Sequence, residues 1–406
     1  MTKIYYIADE KMYCFDGTKT SELPSTAKDM YLDRLYRNAQ AREWKTGGSG
    51  AMFTQSFDPY SAEDRIQNVT TYTDCILAKA NEILFTQTTD GISGLYIKRE
   101  GSDDGIVFSD NTSVYTAFDL YQGEIAIAVE CAGESHIGIC PENSVRLRML
   151  TEGESLDTYP AWSRFEDGII YYSSSGFAIE SRRQAVEKDD PSPTGRMMAA
   201  QKKTSRRVGP TALYRLDIRN ADIRECFSDD RFDYLRPRTD RQGNLYFIKK
   251  PYQATHETSG TLGCLVDTLL FPFRLIGALL GFLNIFSMIY SGKALHRNQG
   301  SAAKNKDEKS IYLDGNMINA EKELKNNRKK GDRNPGIVPR SYELCCASPS
   351  GEITVLKKGV IAYTLANDGI YYSNGSMIIH LDQNGNETLI TKAERVTQLS
   401  VQEDAI

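Results

Sequence analysis

The sequence predicts an all-β chain: a six-bladed β-propeller with closure by its N- and C-terminal strands, plus a largely helical or disordered insertion in the fifth blade. Three observations predict it. A strand–turn–strand pattern recurs along the 406 residues, Tyr and Phe are abundant at 23 and 15, and the two chain ends carry complementary parts of one repeat. Aromatic side chains fit the half-buried, pleated surface of strands, and rings of repeated sheets use this length as one domain.

The repeat is clearest in Tyr159-Pro160-Ala161-Trp162-Ser163-Arg164-Phe165-Glu166-Asp167-Gly168-Ile169-Ile170-Tyr171-Tyr172. The same nine-residue offset links Tyr234 to Gly243, Val360 to Gly369 and Val114 to Gly123, each Gly opening onto a branched or aromatic run. A shorter copy runs from Cys75 through Asn81 to Ile83-Leu84-Phe85. Further short strands follow each copy, such as Leu213-Tyr214-Arg215-Leu216 and Ile223-Arg224-Glu225-Cys226-Phe227, so each unit reads as a four-stranded meander. Units repeating at about 40 to 45 residues are the signature of a propeller.

The first unit has only its second to fourth strands, and Arg395–Val401 is a spare strand at the other end. Joining them completes a blade and removes exposed sheet edges. The blades are expected at 1–25 with 394–402, then 68–110, 111–152, 153–228, 229–358 and 359–393.

The copy Leu150-Thr151-Glu152-Gly153, Tyr159-Pro160-Ala161-Trp162-Ser163 and Asp167-Gly168-Ile169-Ile170-Tyr171 resembles the WD-like repeat of TolB-type propellers, also met in propeller domains of prolyl oligopeptidase relatives. The resemblance implies a six-bladed fold and the binding of proteins or peptides at a ring face. This sequence departs from periplasmic TolB in its start, Met1-Thr2-Lys3-Ile4-Tyr5-Tyr6, which lacks a signal-peptide h-region. It departs from the peptidases in having no hydrolase domain, so function does not transfer with the fold.

Three segments interrupt the rhythm: 26–67, 176–211 and 254–340. Strand direction alternates in a meander, so all three are expected on one ring face. In the first, Tyr31, Leu32, Leu35, Tyr36 and Ala39 recur at helical spacing within Ala27–Lys45, before Gly47-Gly48-Ser49-Gly50. No Lys-Ser or Lys-Thr follows those glycines, so they read as a linker rather than a phosphate loop. The second segment is polar and basic and reads as a disordered loop.

The third is apolar from Leu262 to Tyr290, reaching the roughly 20 residues that cross a bilayer. Its flanking strands belong to one blade, so both ends must lie on one side of a membrane. The segment is therefore expected to lie in the interface or dip and return, with Leu269, Leu270, Phe271, Phe273, Ile276, Leu279, Leu280, Phe282, Leu283 and Phe286 contacting membrane or a partner. Lys293, Arg297, Arg328, Lys329 and Lys330 follow as cationic flanks for anionic lipid. The alternative is a greasy helix packed on protein.

The net charge of −5 opposes a nucleic-acid partner. The eight cysteines lack CxxC spacing and read as small buried hydrophobes of a reducing compartment. Four histidines, His136, His256, His296 and His380, lie in different segments without metal-ligand spacing, so neither metal nor cofactor is expected. Asp382-Gln383-Asn384-Gly385-Asn386-Glu387 reads as a hairpin turn before a calcium loop, and Trp162 as core.

These features predict a non-catalytic scaffold at the inner face of a bacterial membrane, binding a protein partner at a ring face and lipid through 262–291. The alternatives are a soluble subunit of a multi-component bacterial complex, and a hydrolase or lyase. The last requires Asp157, Glu166, Arg236 or Arg238 to converge at the channel mouth.

Overall fold

Aromatic and branched runs punctuated by Gly turns fold as short antiparallel strands in a computed structural model, which describes residues 2–8, 11–31, 33, 34, 37, 70–79, 82–89, 91–142, 144–181, 204–253, 310–313 and 316–402. β1 (Lys3–Ala8), β2 (Lys11–Phe15) and β3 (Thr20–Glu22) form one meander. β4 (Thr70–Lys79), β5 (Glu82–Thr89), β6 (Ile92–Arg99) and β7 (Gly105–Asp110) form the next. β8 (Val114–Tyr121), β9 (Glu124–Cys131), β10 (Glu134–Pro141) and β11 (Arg148–Met149) follow in order.

β12 (Ser155–Trp162), β13 (Ile169–Ser181), β15 (Ala212–Asp217) and β16 (Asp222–Phe227) repeat the arrangement, with β14 (Thr204–Val208) paired to the far end of β13. One parallel bridge, Ser135 opposite Leu156, joins this meander to the preceding one. β17 (Phe232–Thr239) and β18 (Leu245–Pro251) are followed in sequence by β19 (Ser310–Leu313), β20 (Asn316–Asn319) and α1 (Ala320–Lys329). β21 (Glu343–Ala347) and β22 (Ile353–Lys358) complete the β17–β18 sheet. β23 (Ala362–Ala366), β24 (Gly369–Ser373), β25 (Met377–Asp382) and β26 (Glu387–Lys392) form a further sheet. β27 (Val396–Gln402) then returns antiparallel to β1, with Tyr5 opposite Ser400.

The chain divides into two units, Met1–Tyr252 with Ala320–Ile406, and Gln253–Asn319. The described part of the second is Gln253 and the β19–β20 hairpin. All other sheets and α1 lie in the first.

Burial follows position within each sheet. Ile125 to Val129 of β9 are all buried, whereas β3 and most of β22 are exposed. Alternation fails in such middle strands because both of their faces pack on neighbouring sheets, and burial on two faces reads as a continuous apolar run. One core cluster, for example, combines Leu84 and Leu95 with Phe118, Ile125 and Ile127 from the next meander.

The strands that open each meander touch in a cycle: β27 with β4, β4 with β8, β8 with β12, β12 with β17, β17 with β23, and β23 with β27. Side-chain hydrogen bonds tie the same succession. Phe118 N–H donates to Asp74 at 3.1 Å, Trp162 N–H to Asp119 at 2.8 Å and Arg164 N–H to the Thr239 hydroxyl at 2.8 Å. Tyr363 OH donates to the Arg236 carbonyl at 2.7 Å, Ser373 Oγ to the Val396 carbonyl at 3.0 Å, and Leu77 N–H to Ser400 Oγ at 3.4 Å.

Two expectations need correction. The 176–211 segment is not wholly loop, because β13 continues to Ser181 and pairs with β14, with Phe177 opposite Val208. There the hairpin keeps its own ladder after β15 has ended, and backbone pairing outweighs the polar side chains. Nor are all cysteines interior: Cys75, Cys140 and Cys345 are buried, but Cys131 is exposed where β9 meets the Ala132-Gly133 turn. In the 26–67 insertion, residues 26–31 are helical.

Candidate binding site at the meeting of the opening strands

Charged residues inside apolar strands need partners, because stripping a carboxylate or guanidinium of water is costly. Four opening strands slip register at a comparable stage, between Tyr72 and Asp74, Tyr115 and Ala117, Thr158 and Ala161, and Leu235 and Arg238. Bulges re-aim nearby side chains. Two of them hold non-glycine residues in the left-handed region, Tyr159 at φ 51 and Arg236 at φ 58, each followed by proline. The pair interlocks: the Arg236 guanidinium lies 4.5 Å from the Tyr159 ring centroid and donates to its hydroxyl at 3.3 Å. Surrounding contacts must hold such strained backbone in place.

These residues border a narrow void of about 20 Å³ with Asp74, Phe118, Arg238, Tyr363 and Gln398, so every opening strand contributes to it. Asp74 accepts from the N–H groups of Phe118 and Cys75. Burial nevertheless drives its carboxyl up to about 6, outweighing the opposing pull of Arg238, the Phe118 N–H and Arg236. Burial also raises the Tyr363 hydroxyl far above its usual range, keeping it a proton donor.

Asp119, 2% exposed, is the hub beside this void. One oxygen accepts from Trp162 N–H; the other accepts from Arg164 Nη2 at 2.9 Å and Arg238 Nη1 at 3.2 Å. Arg164 also lies over the Tyr121 ring at 4.5 Å.

Arg164 and Arg238 form the inner end of a cleft of about 970 Å³ between the β17–β18–β21–β22 sheet and the β23–β26 sheet. Leu356, Leu365, Ile370 and Leu381 supply apolar lining. Turns at 240–242, 367–369 and 382–385 form its rim. The acids there are engaged locally. Asp240 accepts from Gln242 and Asn244 N–H, the Asn244 amide and Tyr246 OH. Asp382 accepts from Asn384 and Asn386 N–H and the Asn386 amide. That network accounts for the Asp382–Glu387 stretch as turn chemistry, and Glu387 is paired with Lys357. Arg241 is exposed and makes no hydrogen bond or ion pair with the described residues.

A second cleft, of about 800 Å³, lies between the β1–β3 and β4–β7 strands. Its Lys98 and Arg99 are paired with Asp104 and Glu82.

The sequence candidates fall in several places. Arg236 and Arg238 border the void, but Asp157 and Glu166 line neither void nor cleft. Asp157 accepts from Ser174 Oγ at 2.6 Å with His136 Nδ1 3.8 Å away, and Glu166 pairs with Arg215 at 2.7 Å. Neither carboxylate therefore shares the void or the cleft with Arg236 and Arg238. No cluster of three or more potential metal ligands occurs among the described residues.

Trp162 is buried core. Arg328, Lys329 and Lys330 are exposed at the end of α1, whose first turn carries Glu321 and Glu323; this charge order complements the helix dipole. Leu269, Leu270, Phe271, Phe273, Ile276, Leu279, Leu280, Phe282, Leu283, Phe286, Lys293 and Arg297 lie outside the described residues. Among those described, no helix is long and apolar enough to cross a membrane.

Sequence reading missed Asp74, Asp119, Arg164 and Tyr363. A signal existed for three of them, since each is a lone charge set in or next to an apolar opening strand, as in Phe118-Asp119-Leu120.

No family model matches the chain, and no curated protein matches it. Solved structures similar to it include a chain of the nidogen/laminin complex, at 8% identity and TM-score 0.46, covering 99% of this chain and 98% of that one. TolB from Acinetobacter baumannii is similar at 8% identity and TM-score 0.46, covering 98% of this chain and 66% of its own. The tricorn protease is similar at 8% identity and TM-score 0.40, covering 97% of this chain and 33% of its own. This chain thus spans about two thirds of that TolB and one third of the protease. With scores below 0.5, the architecture is defined by the chain's own strands.

Proposed function

We propose that the chain is a six-bladed β-propeller, closed by the β27–β1 pairing, that holds a protein partner on a ring face and carries out no reaction of its own. The cyclic contacts of the six opening strands, and the hydrogen bonds that follow them, support the ring. One observation carries the binding reading. Among the described residues, the central carboxylates Asp74 and Asp119 have their oxygens engaged by backbone N–H groups and arginines. What lines the cleft is then recognition chemistry: guanidinium groups, an apolar wall, and acids already bonded within their turns or paired with Lys357. Cross-linking mass spectrometry on the full chain in cell extract tests this. Cross-links concentrated on the 240–242 and 382–385 turns are expected; turnover of a peptide or ester substrate by the purified chain ends the reading.

A second reading adds membrane docking at the inner face. It is favoured by exposed Arg328, Lys329 and Lys330, which share the β18–β21 connection with the apolar 262–291 run. Liposome flotation compares the full chain with a variant whose residues 255–309 are replaced by a Gly/Ser linker, which retains α1. Flotation of the full chain alone, stronger on anionic vesicles, is expected. Equal behaviour of the two removes the membrane role.

A further inference from the structure

We infer that the cleft between the β17 and β23 sheets receives an extended acidic–apolar peptide segment of the partner, with the segment's carboxylate side chain held by Arg238, Arg164 and Arg241. This rests on the binding reading above and names the chemistry of what is bound.

Charge comes first. The Arg164 and Arg238 side chains, 30% and 27% exposed, share the single carboxylate of Asp119. Two cations on one anion leave an excess positive charge at the inner end of the cleft. Among the described residues Arg238 hydrogen-bonds through Nη1 alone, which leaves its other donors for a ligand. A guanidinium fork matches a carboxylate in a bidentate arrangement. The cleft's own acids keep their charge but do not bond these arginines, since Asp240 and Asp382 are hydrogen-bonded within their turns and Glu387 is paired with Lys357. Arg241, on the rim turn, has no partner among the described residues and extends the cationic track outward.

Shape narrows the ligand class. A free inorganic anion would use the arginines but not the wall formed by Leu356, Leu365, Ile370 and Leu381. A wholly apolar segment would cover the guanidinium groups without supplying an acceptor, which is unfavourable. About 970 Å³ stands at the upper end of small-ligand pockets and holds several residues of extended chain. A carboxylate flanked by apolar side chains uses both parts of the lining.

Calorimetric titration of the full-length chain with two end-blocked pentapeptides tests the inference: Gly-Leu-Asp-Leu-Gly and its asparagine counterpart. The aspartate peptide is expected to bind at least about tenfold more tightly, with the advantage shrinking as salt is raised. Arg238→Gln should bring the two affinities together. Arg241→Gln alters an exposed turn residue, so it keeps the test decisive if the first variant unfolds. It should weaken the aspartate peptide about two- to fivefold and leave the asparagine peptide and the melting temperature unchanged. Equal binding of the two peptides, binding of neither, or an aspartate preference that survives both substitutions overturns the inference. Mass spectrometry of the same samples separates this from the parent reading. Cleaved peptide removes the non-catalytic reading and leaves the carboxylate site standing, whereas intact peptide without aspartate preference removes the site alone.

Discussion

The junction between the β8 and β12 meanders is filled, whereas the junction between the β17 and β23 sheets is sealed at one end and open at the other. At the first, Asp119 joins Trp162 N–H to two arginines, Ser135 Oγ donates to the Asp157 carbonyl at 2.7 Å, and one core cluster spans both meanders. At the second, a core cluster also spans both sheets, joining Ile248 and Leu344 to Val360, Tyr363 and Tyr372; Tyr363 OH donates to the Arg236 carbonyl, and the cleft lies beyond them. Its other end is closed by residues that follow α1. Ile337 and Val338 N–H donate to the Asn374 carbonyl, and the buried Asn327 amide holds the Gly336 and Val338 carbonyls. Both junctions therefore share a packed core, and they differ in the cleft that remains beside the second.

The largest effect should come from breaking the filled junction. Asp119→Ala leaves two guanidinium groups and a buried N–H without their acceptor and should lower stability by about 3–5 kcal/mol, read as a shift in urea midpoint. The sealed end should respond next. A Cβ at Gly336 would collide with the Asn374 carbonyl oxygen and with its side-chain carbon, so Gly336→Ala should cost about 2–3 kcal/mol by the same measurement. A smaller cost than that of Tyr363→Phe would show that the seal contributes little.

Asp74 sharpens the comparison through pH. Its folded value near 6 lies above the roughly 3.9 of an unfolded aspartate. Between about pH 4 and 6 the folded chain keeps a proton that the unfolded chain has released. This group's stabilising contribution is therefore present below about pH 4 and is lost as pH rises through 6. Asp74→Asn should gain on the parent chain by an amount on the order of 2 kcal/mol between pH 4.5 and 7 in paired urea melts. A constant difference would mean that Asp74 stays ionised at the lower pH. The smallest effect belongs to the open junction: Tyr363→Phe removes one hydrogen bond to a buried carbonyl and should cost about 1 kcal/mol.

Much of the strand architecture was legible because its determinants are local. The Gly residues at 123, 168, 243 and 369 all have positive φ, which glycine adopts without steric penalty, and the runs that follow them open strands within their meanders. The pairing of the last strand with the first was legible too, since a unit short of one strand and a strand short of a unit complement each other, as β27 and β1 do. The candidate site was only partly legible. Arg236 and Arg238 stood out, but their grouping with Asp74 and Asp119 depends on residues more than a hundred positions apart.

By itself, then, the sequence determined the strands, their turns and their grouping into meanders, because period, propensity and turn chemistry act over a few residues. Only the tertiary structure decided which charges meet and where a cleft remains. Those depend on how opening strands from distant meanders come together and on which gaps a long connection happens to fill; no local pattern encodes either.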